Sequence, residues 1–186
     1  MGAIRQPSLS SRRQNTGVAL FISLVLLLLL TIIGVSAVQT TTLEVRMARN
    51  EHDSLLAFQA AESALRDAEA ALDLLTSTVG FTDAGANGLW TVADLGDPDR
   101  WTLGGVWNGG QSVQSATNID GVNAQPRYIV EYVASVIREE NAYQLEDPYG
   151  ASNSDRIEIF RVTARGVGGT ANAVVLLQST YGRILD

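Results

Sequence analysis

The chain has 186 residues, a formal net charge of −7 and no cysteine. The missing cysteine excludes disulfides, thiol nucleophiles and thiolate metal sites, and the negative charge argues against nucleic acid or anionic lipid headgroups as partners. The only histidine, His52, lies in a charged helical stretch without a nucleophile motif. No catalytic triad, cofactor or small-molecule substrate is therefore predicted, and the chain does not read as an enzyme.

The first predicted elements are a basic leader, residues 1–17, and an apolar helix. The leader contains arginines, among them Arg12 and Arg13, and no acid, whereas Val18 to Val38 carry no charge. At about 1.5 Å per residue this helix covers about 31 Å, the thickness of a bilayer's hydrocarbon core. The positive leader predicts a cytoplasmic N-terminus and an exported body, hence a single-span protein whose working part lies outside the cytoplasm.

A secretory signal peptide is the alternative for this segment, with cleavage after Ala37. The apolar run is longer than the 7–15 residues of a usual signal. The helical pattern also continues beyond Ala37. Both observations favour a retained anchor.

A long amphipathic helix is predicted to follow over residues 39–78, because this stretch contains neither proline nor glycine. Joined to the span, residues 18–78 make about 90 Å of helix, whereas a small domain is about 30 Å across. Half of the helix must then contact lipid or other subunits. The other half has an apolar stripe typical of packing on its own domain, consisting of Phe58, Ala61, Leu65, Ala68, Leu72, Leu75 and Val79.

Residues 79–126 form a glycine-rich variable region that contains all three tryptophans. Turn sequences dominate it, and short strands are predicted at 89–93 and 101–107. The tryptophans, Trp90, Trp101 and Trp107, are interpreted as core or loop anchors, with a partner-binding patch as the alternative.

Residues 127–186 are predicted to form an antiparallel sheet. Strand-like runs occur at 127–138, 156–165 and 171–181, and the glycines of 166–170 suit a hairpin between the last two. The unbroken apolar run 173–177 predicts a central strand covered on both faces. The fold class is therefore α+β, with a long N-terminal helix packed on a C-terminal antiparallel sheet.

One segment of the sheet region, residues 146–155, is rich in oxygen ligands. It lacks the acid spacing of an EF-hand, so an ordinary polar loop is expected and Ca²⁺ binding is left open.

Three segments carry a resemblance to a known family. Arg13-Gln14-Asn15-Thr16-Gly17 followed by Val18-Ala19-Leu20 resembles the class III leader of type IV pilins and pseudopilins. The stretches 43–50 and 57–65 resemble the N-terminal signature of PilX-type minor pilins, and 161–170 with 174–181 resembles their C-terminal hairpin. The chain is therefore similar to PilX-type minor pilins at both ends and weakly so between them.

The resemblance implies how the protein is processed and assembled. Prepilin peptidase would cut between Gly17 and Val18 and methylate the new N-terminus, a step for which a side-chain-free glycine allows close approach of the protease. The helix would then leave the inner-membrane lipid and join other minor pilins and the major pilin in a fibre that serves adhesion and twitching motility. Most pilins carry a glutamate at the fifth mature position, which here is Ile22. Its absence implies an initiating or capping place at or near the tip.

Two alternatives share parts of this pattern. A minor pseudopilin of a type II secretion system has the same leader, but the pseudopilin without the glutamate usually carries a large inserted domain, for which this chain has no room. A single-span membrane protein with an exported domain of another function is the second alternative.

Overall fold

The computed structural model describes residues 16–137 and 156–185. The chain divides into two compact units, Met1–Ala48 and Arg49–Asp186. One helix, α1, runs from Thr16 to Asp73 and contributes to both units. In the first unit every residue from 17 to 48 is exposed, and the helix there is long and apolar enough to cross a membrane.

Helix α1 ends at Asp73, five residues earlier than the sequence predicts. The amide of Leu75 donates to the Leu72 carbonyl at 3.0 Å, which tightens the last turn. The guanidinium of Arg183 donates to the same Leu72 carbonyl, so a cation caps the C-terminus. Tertiary contacts and the weak helix formers after Leu75 end the helix, so the absence of glycine and proline predicted the helix but not where it ends.

The second unit contains a five-stranded mixed sheet. Its strands are β1 (Leu89–Thr91), β2 (Val113–Gln114), β3 (Arg127–Ile137), β4 (Arg156–Val167) and β5 (Val174–Arg183). The order is β1-β3-β4-β5, and β2 also pairs with β3. Strands β3, β4 and β5 are antiparallel as predicted, whereas β1 pairs parallel with β3. The pilin-like α+β fold is confirmed, with a mixed rather than a purely antiparallel sheet.

Two predictions about strands are wrong. Residues 101–107 form no strand, because Arg100–Thr102 and Val106–Asn108 are short 3₁₀ helices. Among the described strands, β5 is an edge strand and not a central one, and its residues alternate between exposed and half-buried. An unbroken apolar run therefore did not indicate cover on both faces.

The main core lies between α1 and one face of the sheet. Ala64, Ala68 and Leu72 of the helix pack there with Phe81 and Phe160, whose ring centroids lie 5.5 Å apart. A second core lies on the opposite face, where Trp90 and Val106 pack on Ile129. Strand β3 is thus covered on both faces, by the helix and by the segment 80–126.

The helix face that packs is close to the predicted stripe but not identical to it. Ala61, Ala68 and Leu72 are buried, and Leu65 and Leu75 are half-buried against the same core. Phe58 is 45% exposed and Val79 is 87% exposed, so both assignments are wrong.

Small side chains explain the shift of the packing face. Ala57, Ala60 and Ala64 are fully buried. They allow the sheet to approach the helix more closely than a phenylalanine would permit, whereas Val79 lies beyond the end of the helix.

Candidate assembly surfaces

The predicted cleavage site lies at the described start of α1. Gly17 and Val18 are helical and exposed, and nothing lies within 4 Å of the position that a Cβ of Gly17 would occupy. Ile22, one turn further on, is 54% exposed. The leader arginines Arg12 and Arg13 lie outside the described residues.

The exposed apolar helix is the first surface that a partner could cover. Its leucines, isoleucines and valines between Val18 and Val38 are exposed over 38–72% of their area. The hydroxyls of Ser23 and Thr31 are satisfied by carbonyls of the preceding turn, at 2.8 and 2.7 Å. With these two hydroxyls satisfied within the helix and no charged side chain present, the segment is suited to lipid or to other apolar helices.

The joint between helix and sheet in the second unit is made by backbone rather than by large side chains. Gly166 of β4 lies directly against α1, so that a Cβ there would collide with the Ala57 carbonyl and the backbone of Ala61. Gly168 lies equally close to the Asp53 carbonyl. The glycine-rich segment interpreted as a hairpin turn therefore also provides the contact surface for the helix.

Carboxylates on α1 bind the connection between β4 and β5 and strand β5 itself. Asp53 accepts hydrogen bonds from the amide of Thr170, at 3.1 Å, and from its hydroxyl. The Thr170 hydroxyl is the main reason why the pKa of Asp53 is lowered. Near the end of the helix, Glu69 accepts from Ser179 at 3.2 Å and Asp73 accepts from Tyr181.

Asp67 holds the segment that leads into β3. Its carboxylate accepts from the hydroxyl of Ser115 and from the amide of Thr117, the latter at 3.1 Å. Burial alone would raise the pKa of Asp67, but these hydrogen bonds outweigh it and lower the pKa. The carboxylate form is thus the one that the fold stabilises.

Asp67→Ala should lower the free energy of unfolding by about 1.5–3 kcal/mol, because hydrogen bonds to a charged group are lost and the buried Ser115 hydroxyl loses its carboxylate partner. Urea unfolding of the full chain in detergent micelles measures the change. Asp97→Ala, in an exposed turn, is the matched control and should change stability by less than about 0.5 kcal/mol. Equal effects of the two substitutions would refute this role of Asp67.

The tryptophans anchor the segment 80–126 on the sheet. Trp90 is 1% exposed, and its indole N–H donates to the Gln111 carbonyl at 2.9 Å. Trp107 donates to the Trp101 carbonyl at 3.1 Å, and both of these tryptophans are half-buried. The structure thus places all three rings in or beside the second core, which favours the anchor interpretation over a partner-binding patch.

A buried carboxylate lies under this segment and was missed by the sequence analysis. Glu131 of β3 is fully buried, and neither carboxylate oxygen has a hydrogen-bond partner among the described residues. The nearest cation is Arg161, at 3.8 Å between Nη1 and Oε2. Burial raises the pKa of Glu131, and the attraction to Arg161 offsets this only in part. The sequence of β3 is rich in Tyr, Ile and Val, and nothing local in it indicates that its one acid is buried.

Glu131 should make stability depend on pH. Because its pKa is raised in the folded state, the unfolded chain ionises this carboxyl first, so the free energy of unfolding falls as pH rises above the ordinary value of 4.5. The fall ends when Glu131 ionises in the folded state as well.

Glu131→Gln should remove this fall and raise the free energy of unfolding at neutral pH by about 1–2 kcal/mol. Unfolding of the full chain in micelles, followed across the acid to neutral range, tests it. Glu62→Gln, in an exposed ion pair with Arg66, is the matched control and should change the free energy of unfolding at neutral pH by less than about 1 kcal/mol. A profile of the Glu131→Gln variant that overlays the parent would contradict the assignment.

The described residues contain no cluster of three or more side chains that could hold a metal ion. The segment 146–155, for which Ca²⁺ binding was left open, lies outside the described residues. The first unit thus presents an exposed apolar helix, and within the second unit glycines, alanines and carboxylates hold the sheet against residues 53–73 of α1.

Comparison with known protein families agrees with this arrangement. A model described as PilX N-terminal matches residues 16–66, and one described as type IV pilus assembly protein PilX C-term matches residues 66–183. The chain belongs to the PilX family. The two PilX matches meet at Arg66, within α1, and together cover both the helix and the sheet. No curated protein and no solved structure matches the chain.

Membership of the PilX family establishes a role in type IV pilus assembly, and points to a structural pilus component rather than an enzyme. It also implies association with other pilus components. The single N-terminal apolar helix is consistent with single-pass membrane anchoring before or during that association.

Proposed function

We propose that the chain is a minor pilin that is cleaved between Gly17 and Val18 and that helps to initiate or cap the pilus at or near its tip. The observation that carries the proposal is Ile22, an exposed apolar residue at the fifth position after the cleavage site. Most pilins place a glutamate there, which pairs with the N-terminal amine of a neighbouring subunit. A subunit without this carboxylate cannot make that contact, and the tip is the place where it is not needed.

The energetics of the apolar helix support this interpretation. A carboxylate at the centre of a bilayer costs about 2.5–3.5 kcal/mol on insertion scales, so it persists only where a partner compensates for it. Between Val18 and Val38 the chain carries no such group. No side chain of this segment therefore bears that cost in the membrane, and apart from the amine that cleavage creates at Val18 the segment offers no charged contact within a fibre.

Cleavage is tested by mass spectrometry of the mature protein from piliated cells. We expect an N-methylated chain that begins at Val18, with the head in the periplasm before assembly. Gly17→Val should leave the leader attached because a side chain blocks approach to the backbone, whereas Gly17→Ala should be cut at least in part. A mature chain that begins at Val38 would indicate a secreted protein and would refute the proposal, as would an uncut parent chain.

Substitutions at Ile22, the position of the missing glutamate, test the placement at the tip. We expect labelled parent protein at pilus ends, and fewer pili from the Ile22→Glu variant because it adds a carboxylate without a partner. Ile22→Leu is the matched control and should preserve piliation. Normal piliation by Ile22→Glu, together with label along the shaft, would refute the tip assignment.

A further inference from the structure

Strand β5 has an open side. It pairs with β4 from Val174 to Arg183, and no other described element pairs with it. The sheet thus ends on a strand of ten residues.

The hairpin geometry shows which backbone groups face the open side. The amide of Gly168 donates to the Ala173 carbonyl at 2.8 Å, and Val167 pairs with Val174. Hydrogen-bonded and non-hydrogen-bonded pairs alternate in an antiparallel ladder. The amides and carbonyls that point away from β4 are therefore those of Val174, Leu176, Gln178 and Thr180.

The same residues present their side chains on the sheet face opposite α1. Val174 and Leu176 are each 41% exposed there, whereas Ser179 and Tyr181 contact the helix. Charged residues or proline usually protect an edge strand from pairing with another chain. Residues 174–182 contain neither. An uncharged strand of high β-propensity whose outward amides and carbonyls are unpaired is prone to aggregation unless a partner covers it.

A recess lies beside this edge. It has a volume of about 200 Å³ and is lined by Trp101, Thr163, Leu176, Leu177 and Gln178. The amide of Gln178 donates to the Thr163 hydroxyl at 3.0 Å. A strand added to an edge derives affinity from its main chain and specificity from pockets for alternate side chains, and this recess is placed to accept one apolar side chain.

Two arginines lie beside this edge on the sheet face opposite α1, because Arg161 pairs with Thr180 and Arg165 with Leu176, whereas the acids Glu69 and Asp73 contact β5 on its other face. Residues 159–185 contain three arginines, Arg161, Arg165 and Arg183, and no acid, whereas the chain carries −7. Arg161 and Arg165 lie on the same face of the sheet as Leu176 and are half-buried. An acidic partner is therefore favoured over a basic one, and over the matching basic edge of a second copy.

We propose that β5 accepts an extended segment of a neighbouring pilus subunit as an additional strand, and that this segment combines an apolar residue for the recess with acidic residues for the arginines. The inference rests on the proposed function, since it requires a neighbour in the fibre.

The absence of cysteine makes a cross-linking test possible. The full chain with Val174→Cys is expressed in piliated cells, a thiol-reactive benzophenone is attached and irradiated, and mass spectrometry identifies the joined peptide. We expect an extended, acidic segment of a neighbouring subunit. Leu176→Pro in the same background removes one outward amide and should lower the yield about tenfold. The matched control Leu95→Pro, on an exposed loop, should not lower it.

The charge requirement is tested at Thr180, which is exposed on the same edge. Thr180→Glu should lower the yield of the cross-linked product, and Thr180→Arg should maintain or raise it. Equal yields from these variants, a yield insensitive to Leu176→Pro, or a joined peptide from β5 of a second copy would overturn the proposal. Protein present in pili without any cross-link would overturn the edge pairing alone, whereas absence from pili would overturn the proposed function and this inference with it.

Discussion

Trp90→Ala should lower the free energy of unfolding of the head by about 3–5 kcal/mol. Trp90 is 1% exposed and is the largest side chain of the second core, where it packs with Val106 and Ile129. Its ring also lies directly against Gly85, where a Cβ would overlap it. Removal leaves a cavity that this glycine cannot fill, and it leaves the Gln111 carbonyl without its donor.

Urea unfolding of the full chain in detergent micelles measures this loss. Trp101→Ala is the matched control, because the same ring is removed from a half-buried position at the margin of the same core. We expect it to cost less than half as much. Equal losses from the two substitutions would show that Trp90 is not the anchor of the segment 80–126.

Gly166→Ala should lower the free energy of unfolding by about 3 kcal/mol, the upper end of the usual cost of overpacking. The added methyl group would meet the backbone of α1 at Ala57 and Ala61, and backbone cannot rotate away as a flexible side chain can. The helix and β4 must separate, which also weakens the contact of Asp53 with Thr170.

Gly104→Ala is the control for this substitution. Nothing lies within 4 Å of the added Cβ at position 104, so stability should change by less than about 0.5 kcal/mol. Thermal unfolding of both variants, with the parent chain alongside, gives the comparison. A Gly166→Ala variant as stable as Gly104→Ala would mean that the helix is not held against β4 as described.

The elements that were predicted correctly are those with a strong local signal. The apolar run from Val18, the absence of breakers in the following helix and the β-rich segments after Pro126 each specify their structure within a short window. The hairpin between β4 and β5 was predictable for the same reason. Its glycines predicted a turn between the two strands, but they did not predict that the same glycines contact α1.

The features that were missed depend on contacts distant in sequence. The cap that Arg183 provides for α1 and the burial of Glu131 under the segment 80–126 leave no local pattern. The edge position of β5 depends on strand order, which an apolar run cannot specify. The parallel pairing of β1 with β3 could not be predicted either, because a strand of three residues contains too little sequence to specify its partner.

The alanine and glycine contacts between α1 and β4 have a mechanical consequence. Where two backbones are in contact, with no long side chains between them, one can move only a little along the other. Tension drawn along this part of the helix would load the sheet in shear, and the carboxylate attachments at Asp53 and Asp67 would share that load. A sheet attached in this way would move together with this part of the helix under tension, without first unfolding.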